Sequence, residues 1–387
     1  MLWHALDSHP AGPWWFTKEL RITVGAIGSP LNVRKILDTT AAEINSTGAA
    51  AILMDGASNR VLYGKNIHQR LPIASTTKIM TAIVALEHGC LDETVIIPPE
   101  ASGIEGSSIW LEAGEEHTLE DLLYGLMLRS GNDAAVAIAI HISGSVEEFA
   151  KLMNATAKKI GAYNTNFVNP HGLHDPDHYS TAYDLALIAS YGLKNPDFER
   201  IVATKFRTIP WKGHEWNRAM RNKNRLLWQY EGANGVKTGY TKKAGRCLVA
   251  SAKRDNMQLV SVVLNCGPMF EESMELLDYG FKNYKSVKLI SHNEIYATIP
   301  VKNGKTNTLG LVPAESFSIA LREEEIGEFR IEKDLPPQIS APVEKGQDIG
   351  KIRVYHNDKP IKEISLRAFG KVEKQGFWDF IRRLFKK

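Results

Sequence analysis

The chain has 387 residues, 43% hydrophobic and 24% charged, the proportions of a folded, soluble protein too long for one ordinary core, so two domains are expected. A net charge of only +3 leaves no basic field of the kind nucleic-acid binders carry, and no nucleic-acid partner is expected. Cys90, Cys247 and Cys266 form an odd, sparse set that argues against a disulfide framework and reads as three small apolar residues.

Residues 1–41 are taken as an unassigned N-terminal leader. They carry Trp3, Trp14, Trp15 and Phe16, but their longest apolar stretch runs only from Ile22 to Ile27. A secretory signal needs about 7–15 apolar residues behind a basic start, so no signal peptide is evident in this stretch. A run of about 18 apolar residues, enough to span a bilayer, occurs nowhere.

Residues 42–285 mix strands and helices. Ala49 to Met54 is a short apolar run, Asp55 to Asn59 a turn, and Val61-Leu62-Tyr63 a returning strand. Ser75-Thr76-Thr77 is a polar helix start, followed at helical spacing by Ile79, Ile83, Val84 and Leu86. Thr118 to Asp121 reads as a cap, with Leu119, Leu122, Leu123, Leu126 and Met127 on one helical face. A second apolar helix is expected over Ala134 to Ile142. Strands are expected over Cys247 to Ala252 and Gln258 to Asn265, with a turn between them, and a closing helix from Glu271 to about Tyr284. Strand, many helices, then strands is an α+β arrangement.

Residues 286–371 change character. Phe317, Ile319 and Leu321, then Ile352 and Val354, then Ile361, Ile364 and Leu366 alternate as strands, punctuated by Asn303-Gly304, Pro336-Pro337 and Asn357 to Pro360. A small all-β domain is expected. Residues 372–387 end in an amphipathic segment. On a helix at about 100° per residue, Phe377, Trp378, Phe380, Ile381, Leu384 and Phe385 share an arc of about 160°. Asp379, Arg382, Arg383, Lys386 and Lys387 fill the other side. The pattern is that of a helix lying on a membrane surface through residues 376–387, not crossing it.

Three short motifs stand in order: Ser75-Thr76-Thr77-Lys78, Ser130-Gly131-Asn132 and Lys237-Thr238-Gly239. Each is weak alone. Ser75 can merely cap a helix, Ser130 to Asn132 can be a helix-ending turn, and Lys237 to Gly239 can be a turn into a strand. The joint pattern carries the chemistry. Ser75 and Lys78, three apart at a helix start, share a face. A serine hydroxyl attacks only when a base takes its proton, and a lysine is that base only when burial and a neighbouring cation depress its pKa. Lys237, on a strand, supplies that second positive charge and can hold an anionic substrate. The helix N-terminus at Ser75 aims a backbone N–H at the reacting carbonyl. Ser130 can relay a proton to the leaving amine, and the Asn132 amide can fix the substrate's peptide group. Gly239 leaves room for an extended substrate to add to the strand edge, where Thr238 and Lys237 face its carboxylate.

With these residues in place the sequence resembles the penicillin-recognising serine peptidases, which share Ser-x-x-Lys, Ser-x-Asn and Lys-Thr-Gly in this order. Within them it is similar to the low-molecular-mass penicillin-binding proteins of D-alanyl-D-alanine carboxypeptidase type. The likeness runs over about residues 45 to 285, through Leu71 to Met80, Leu128 to Ala135, Asn169 to Leu173, Ser180 to Ala186 and Gly235 to Thr241. It implies a β-lactamase-like transpeptidase domain, an antiparallel sheet packed with helices, followed by the small all-β domain. It further implies a serine-type hydrolase that removes the terminal D-alanine from peptidoglycan stem pentapeptides in cell-wall biogenesis, through an acyl-enzyme on Ser75. Lys78 and Ser130 handle protons; Asn132, Lys237, Thr238, Gly239 and Tyr240 bind substrate, with backbone N–H groups of Ser75 and Tyr240 as the oxyanion hole. β-Lactams are covalent inhibitors, no metal or cofactor is implied, and the site lies extracytoplasmically, on the outer face of the bacterial cytoplasmic membrane. The loop Glu100 to Gly114 edges the site, and Lys223 or Arg225 adds charge for a carboxylate.

Three other readings compete. A β-lactamase shares the motifs, but no counterpart of its deacylating glutamate loop stands between Ser130 and Lys237. A metal site at His171, His174 and His178 is opposed by Pro170, Gly172 and Pro176, which prevent a regular helix. A non-catalytic penicillin-fold scaffold or sensor is opposed by the intact Ser75, Lys78, Ser130 and Lys237.

Overall fold

The computed structural model describes residues 20–23, 44–325 and 328–376, with the backbone alone at 20–23 and 328. It divides into two units. The larger lies within Arg34–Val287 and includes Ile319–Arg322. Its centre is a five-stranded antiparallel sheet in the order Val61–Lys65, Ala50–Asp55, Met257–Leu264, Gly245–Arg254, Ala233–Thr241. Ala50–Asp55 is buried along its whole length, as an apolar strand covered on both faces must be. Alternate residues then face opposite cores. Ile52, Met54, Val249, Val260 and Val262 pack with Lys78–His88, Asn132–Ser143 and Ala182–Gly192 on one side. Leu53, Leu248, Leu259 and Val263 pack with Leu276 and Leu277 of the helix Met269–Asn283 on the other.

Several predicted elements appear with shifted bounds. The two C-terminal strands lengthen to Gly245–Arg254 and Met257–Leu264, which tightens the turn to Asp255-Asn256. Thr118 caps Leu119–Tyr124, its Oγ1 accepting the Asp121 N–H at 3.1 Å. The expected single helix then widens into one π-helical turn, Gly125–Arg129, and stops at Ser130, whose φ of 65° is left-handed. Leu122, Leu123, Leu126 and Met127 remain buried through the change. Helices Val146–Ile160 and Pro196–Ala203 and the hairpin Phe206–Ile209/Arg218–Arg221 lie where no element is predicted.

The smaller unit is all strand in its sheet, ordered Leu20–Thr23, Glu328–Asp334, Asp348–His356, Lys359–Ala368, Thr308–Pro313, Ala297–Lys302, Ile339–Ser340. Ile331, Ile352, Val354, Ile364, Leu366 and Leu311 are among its buried residues. Leu20–Thr23, inside the stretch taken as leader, pairs antiparallel with Glu328–Asp334. No helix among the described residues is long and apolar enough to cross a membrane. Apart from Gly376, the predicted membrane-surface helix lies outside the described residues.

Candidate active site

Ser75 sits on a single 3₁₀ turn, Ala74–Thr77, that feeds the helix Lys78–His88. Hydroxyls lock the turn from below. Thr76 Oγ1 donates to the Ile73 carbonyl at 2.7 Å and Thr77 Oγ1 to the Ala74 carbonyl at 2.8 Å. The loop carrying Gly172 closes over it so tightly that a Cβ there would run into the Ala74 carbonyl, and Gly172 also holds φ at +85°. His178 completes the clamp. The Val168 N–H donates to its Nδ1 at 3.1 Å, so the ring proton sits on Nε2, 2.8 Å from Thr77 Oγ1. Burial above all pushes the pKa of His178 down to about 4, against an opposing pull from Asp175 and with smaller help from Lys78 and His174, keeping it neutral.

Lys78 is fully buried at the first position of its helix. Its Nζ lies 2.7 Å from Asn132 Oδ1, 2.6 Å from the His171 carbonyl and 3.1 Å from Ser75 Oγ. The first two are pure acceptors. A neutral amine gives both its N–H groups to them, which leaves its lone pair facing the Ser75 hydroxyl. Burial above all, then the charges of Lys237 and Lys223, hold the Lys78 pKa well below the ordinary lysine value, against a smaller opposing pull from Asp133. The neutral form is the one this geometry suits.

Asn132 begins the helix Asn132–Ser143, and the loop beside it fixes its amide. Nδ2 donates to the Glu105 carbonyl at 2.5 Å, and the backbone N–H to the Ser107 carbonyl at 2.7 Å. One N–H and one oxygen lone pair remain for a ligand. Asp133 holds that loop: its carboxylate accepts from Ser108 Oγ at 2.5 Å, Ile109 N at 2.9 Å and Leu111 N at 3.1 Å. Ser130, buried and left-handed, stands on the same turn two residues earlier.

Lys237, Thr238, Gly239 and Tyr240 lie on Ala233–Thr241, at the edge of the sheet. Lys237 is buried, and its Nζ donates to the Thr238 carbonyl at 2.9 Å. Burial, followed by the charge of Lys223, brings its pKa down to about 7. A Cβ on Gly239 would stand 3.0 Å from the Ile73 carbonyl and 3.1 Å from the Ser75 nitrogen. Only glycine lets the strand backbone approach the nucleophile turn this closely. Tyr240 is 65% exposed.

The fold thus brings Ser75, Lys78 and Asn132 into direct contact and sets Gly239 against the Ser75 turn. Lys237 joins them electrostatically. Of the two basic candidates, Lys223 belongs here: its Nζ donates to Ser107 Oγ at 2.9 Å, and its charge is felt by Lys78 and Lys237. Arg225 turns away to Glu271 at 3.8 Å and stacks on Phe270. The His171 carbonyl and the Asp133 loop anchor are groups that motif reasoning did not assign. Among the described residues no cluster of three His, Cys, Asp or Glu could hold a metal.

A family model described as D-alanyl-D-alanine carboxypeptidase matches residues 37–267. The chain belongs to that family. A second model, described as the C-terminal domain of penicillin-binding protein 5, matches residues 284–374. D-alanyl-D-alanine carboxypeptidase DacF of Bacillus subtilis is 37% identical over 350 residues, 88% of this chain and 90% of that one. DacC of Escherichia coli is 35% identical, with 87% and 88% covered. Among solved structures, penicillin-binding protein 5 of Haemophilus influenzae aligns with a TM-score of 0.67 at 32% identity, covering 85% of this chain and 98% of that one. Between them the two models span both units, the first the mixed sheet-and-helix unit and the second the all-strand one.

Proposed function

We propose that Ser75 is the nucleophile of this serine-type D-alanyl-D-alanine carboxypeptidase and that Lys78 is its base. The observation that carries the reading is the buried Lys78 amine, held by two carbonyl acceptors with Ser75 Oγ at 3.1 Å. Lys78 takes the Ser75 proton as Oγ attacks the carbonyl of the penultimate D-alanine of a peptidoglycan stem pentapeptide. The backbone N–H groups of Ser75 and Tyr240 stabilise the oxyanion. Ser130 passes the proton to the departing D-alanine amine, and water then hydrolyses the acyl-enzyme. Asn132 orients the substrate amide. Lys237 and the Thr238 hydroxyl receive the terminal carboxylate, with Lys223 adding positive charge, and Gly239 and Tyr240 shape the edge along which the peptide lies. A β-lactam acylates the same hydroxyl.

Residues 42–285 form the catalytic domain in this reading and 286–371 the β-rich domain. The aromatic and cationic faces of residues 376–387 suit a peripheral seat on the outer face of the cytoplasmic membrane.

The test is release of free D-alanine from a stem pentapeptide, alongside intact-mass measurement after benzylpenicillin. Wild type releases D-alanine and carries one long-lived penicilloyl group; Ser75→Ala does neither. Undiminished release by a folded Ser75→Ala protein refutes the assigned nucleophile. Rapid turnover of the penicillin refutes the carboxypeptidase reading in favour of a β-lactamase.

A further inference from the structure

Outside the groups assigned above, one buried arginine holds the Trp110 backbone and the Trp211 ring, and Trp216 follows Trp211 through the His214 ring. The Arg218 side chain is 4% accessible and donates to the two Glu115 carboxylate oxygens at 2.7 and 2.8 Å. It also donates to the Trp110 carbonyl at 2.6 Å, and its guanidinium lies 4.3 Å from the centre of the Trp211 ring. His117 Nε2 sits 2.7 Å from the same carboxylate. The His214 ring lies 4.0 Å from that of Trp211, and the Trp216 ring 6.0 Å beyond His214. The buried ion pair therefore ties the Trp110 backbone to the Trp211 ring, and two tryptophans of this neighbourhood are open to water: Trp110 is 71% exposed and Trp216 62%. Grouped exposed aromatics on a fold with two well-filled cores mark a contact surface.

The place and chemistry of these rings select the partner. Trp110 is three residues from Ser107, hence no more than about 11 Å away along the chain. The Ser107 carbonyl accepts the Asn132 N–H, and Asn132 touches Lys78. An extended pentapeptide spans about 17 Å. A stem peptide with its D-alanine end at Ser75 can therefore deliver its other end, the one joined to glycan, to the tryptophans. Lys212, Glu215 and Asn217, all exposed, neighbour Trp211 and Trp216 along the chain. Such a surface pairs ring faces with hydrogen-bonding groups, as a sugar does and a lipid chain does not. A pyranose offers a face of polarised C–H bonds to the electron-rich indole and hydroxyls to the polar neighbours.

We propose that Trp110, Trp211 and Trp216 form a sugar-stacking platform for the N-acetylated glycan that carries the stem peptide. The proposal rests on the carboxypeptidase reading above and adds the second half of its substrate. Remote binding of this kind raises kcat/KM for the sugar-linked substrate alone.

The experiment compares D-alanine release from a free stem pentapeptide and from the same peptide on its disaccharide. Wild type should favour the sugar-linked form about five- to tenfold. W110A and W216A should bring that ratio close to one with free-peptide turnover unchanged. Equal rates in wild type, or equal losses on both substrates in the variants, overturn the platform. If neither substrate releases D-alanine, the catalytic reading fails instead, and the platform is decided by tryptophan fluorescence with a β-1,4-linked N-acetylhexosamine tetrasaccharide: quenching lost in W110A supports it, and no quenching overturns it. Binding to anionic phospholipid vesicles that W110A and W216A abolish, without a sugar effect, assigns the rings to membrane and overturns it too.

Discussion

Replacing Lys237 by methionine should make the protein more stable and nearly inactive, and the gain should depend on pH. Lys237 is buried, and its pKa falls from the ordinary 10.5 to about 7, chiefly through burial. A lysine so placed lowers folding stability by about 5 kcal/mol wherever both folded and unfolded forms are protonated. The sign follows from linkage. Between pH 7 and 10.5 the unfolded chain binds the proton and the folded one does not, so stability rises with pH. The penalty is complete below about pH 7, about 2 kcal/mol at pH 9, and gone above about pH 10.5. Methionine removes the charge at similar length and forfeits one hydrogen bond to the Thr238 carbonyl, about 1 kcal/mol. Lys237→Met should therefore gain about 3–4 kcal/mol below pH 7 and about 1 kcal/mol at pH 9. Urea unfolding followed by tryptophan fluorescence at pH 6 and pH 9 reads the difference. Losing the carboxylate partner should also cost kcat/KM about a hundredfold or more. A variant no more stable than wild type at pH 6, or a gap that widens toward pH 9, refutes the account of Lys237 as a destabilised cation kept for binding.

Two further outcomes are expected. Asn132→Asp places a carboxylate 2.7 Å from Lys78 Nζ, which raises the lysine pKa, so the acid limb of kcat/KM for penicillin acylation should move to higher pH and the rate at pH 7 should fall; an unmoved limb counts against Lys78 as base. Glu115→Gln leaves the Arg218 guanidinium, 4% accessible, without its counter-ion and should cost about 3–5 kcal/mol in chemical denaturation, whereas a loss below about 1 kcal/mol contradicts the burial of this pair.

Much of the arrangement around Ser75 was legible because its side chains are rare in combination and the local periods are clean. Ser75 and Lys78 meet through helical spacing alone, and Thr118 caps where its hydroxyl stands before an apolar face. The apolar run from Gln258 to Asn265 likewise declared a strand, Met257–Leu264 in the structure. What stayed hidden depends on backbone atoms and distant partners. The His171 carbonyl that holds Lys78 comes from 93 positions away and carries no residue-type signal. The widened turn before Ser130 is not encoded in the period of Leu119 to Met127, since those residues stay buried whether the helix is α or π. The Arg218–Glu115 pair reads in sequence as two surface charges among many, because only the folded hairpin removes them from water. Choosing Lys223 over Arg225 likewise required knowing which one the loop at Ser107 meets.

The strand Ala233–Thr241 has a second side to its nature. Among the described residues the only strand it pairs with is Gly245–Arg254, so its outer side is a sheet edge, where side chains already take the Gly235 and Thr238 carbonyls. Enzymes that read an extended peptide need such an edge, and the same edge invites another copy of the chain to zip onto it. Here the hazard is contained on both flanks. The Ser75 turn packs against Gly239 and shortens the open stretch, while exposed Lys242 and Lys243 follow it directly. Two copies zipped in parallel along this edge would bring these lysine pairs side by side, where they repel each other and discourage polymerisation through the strand.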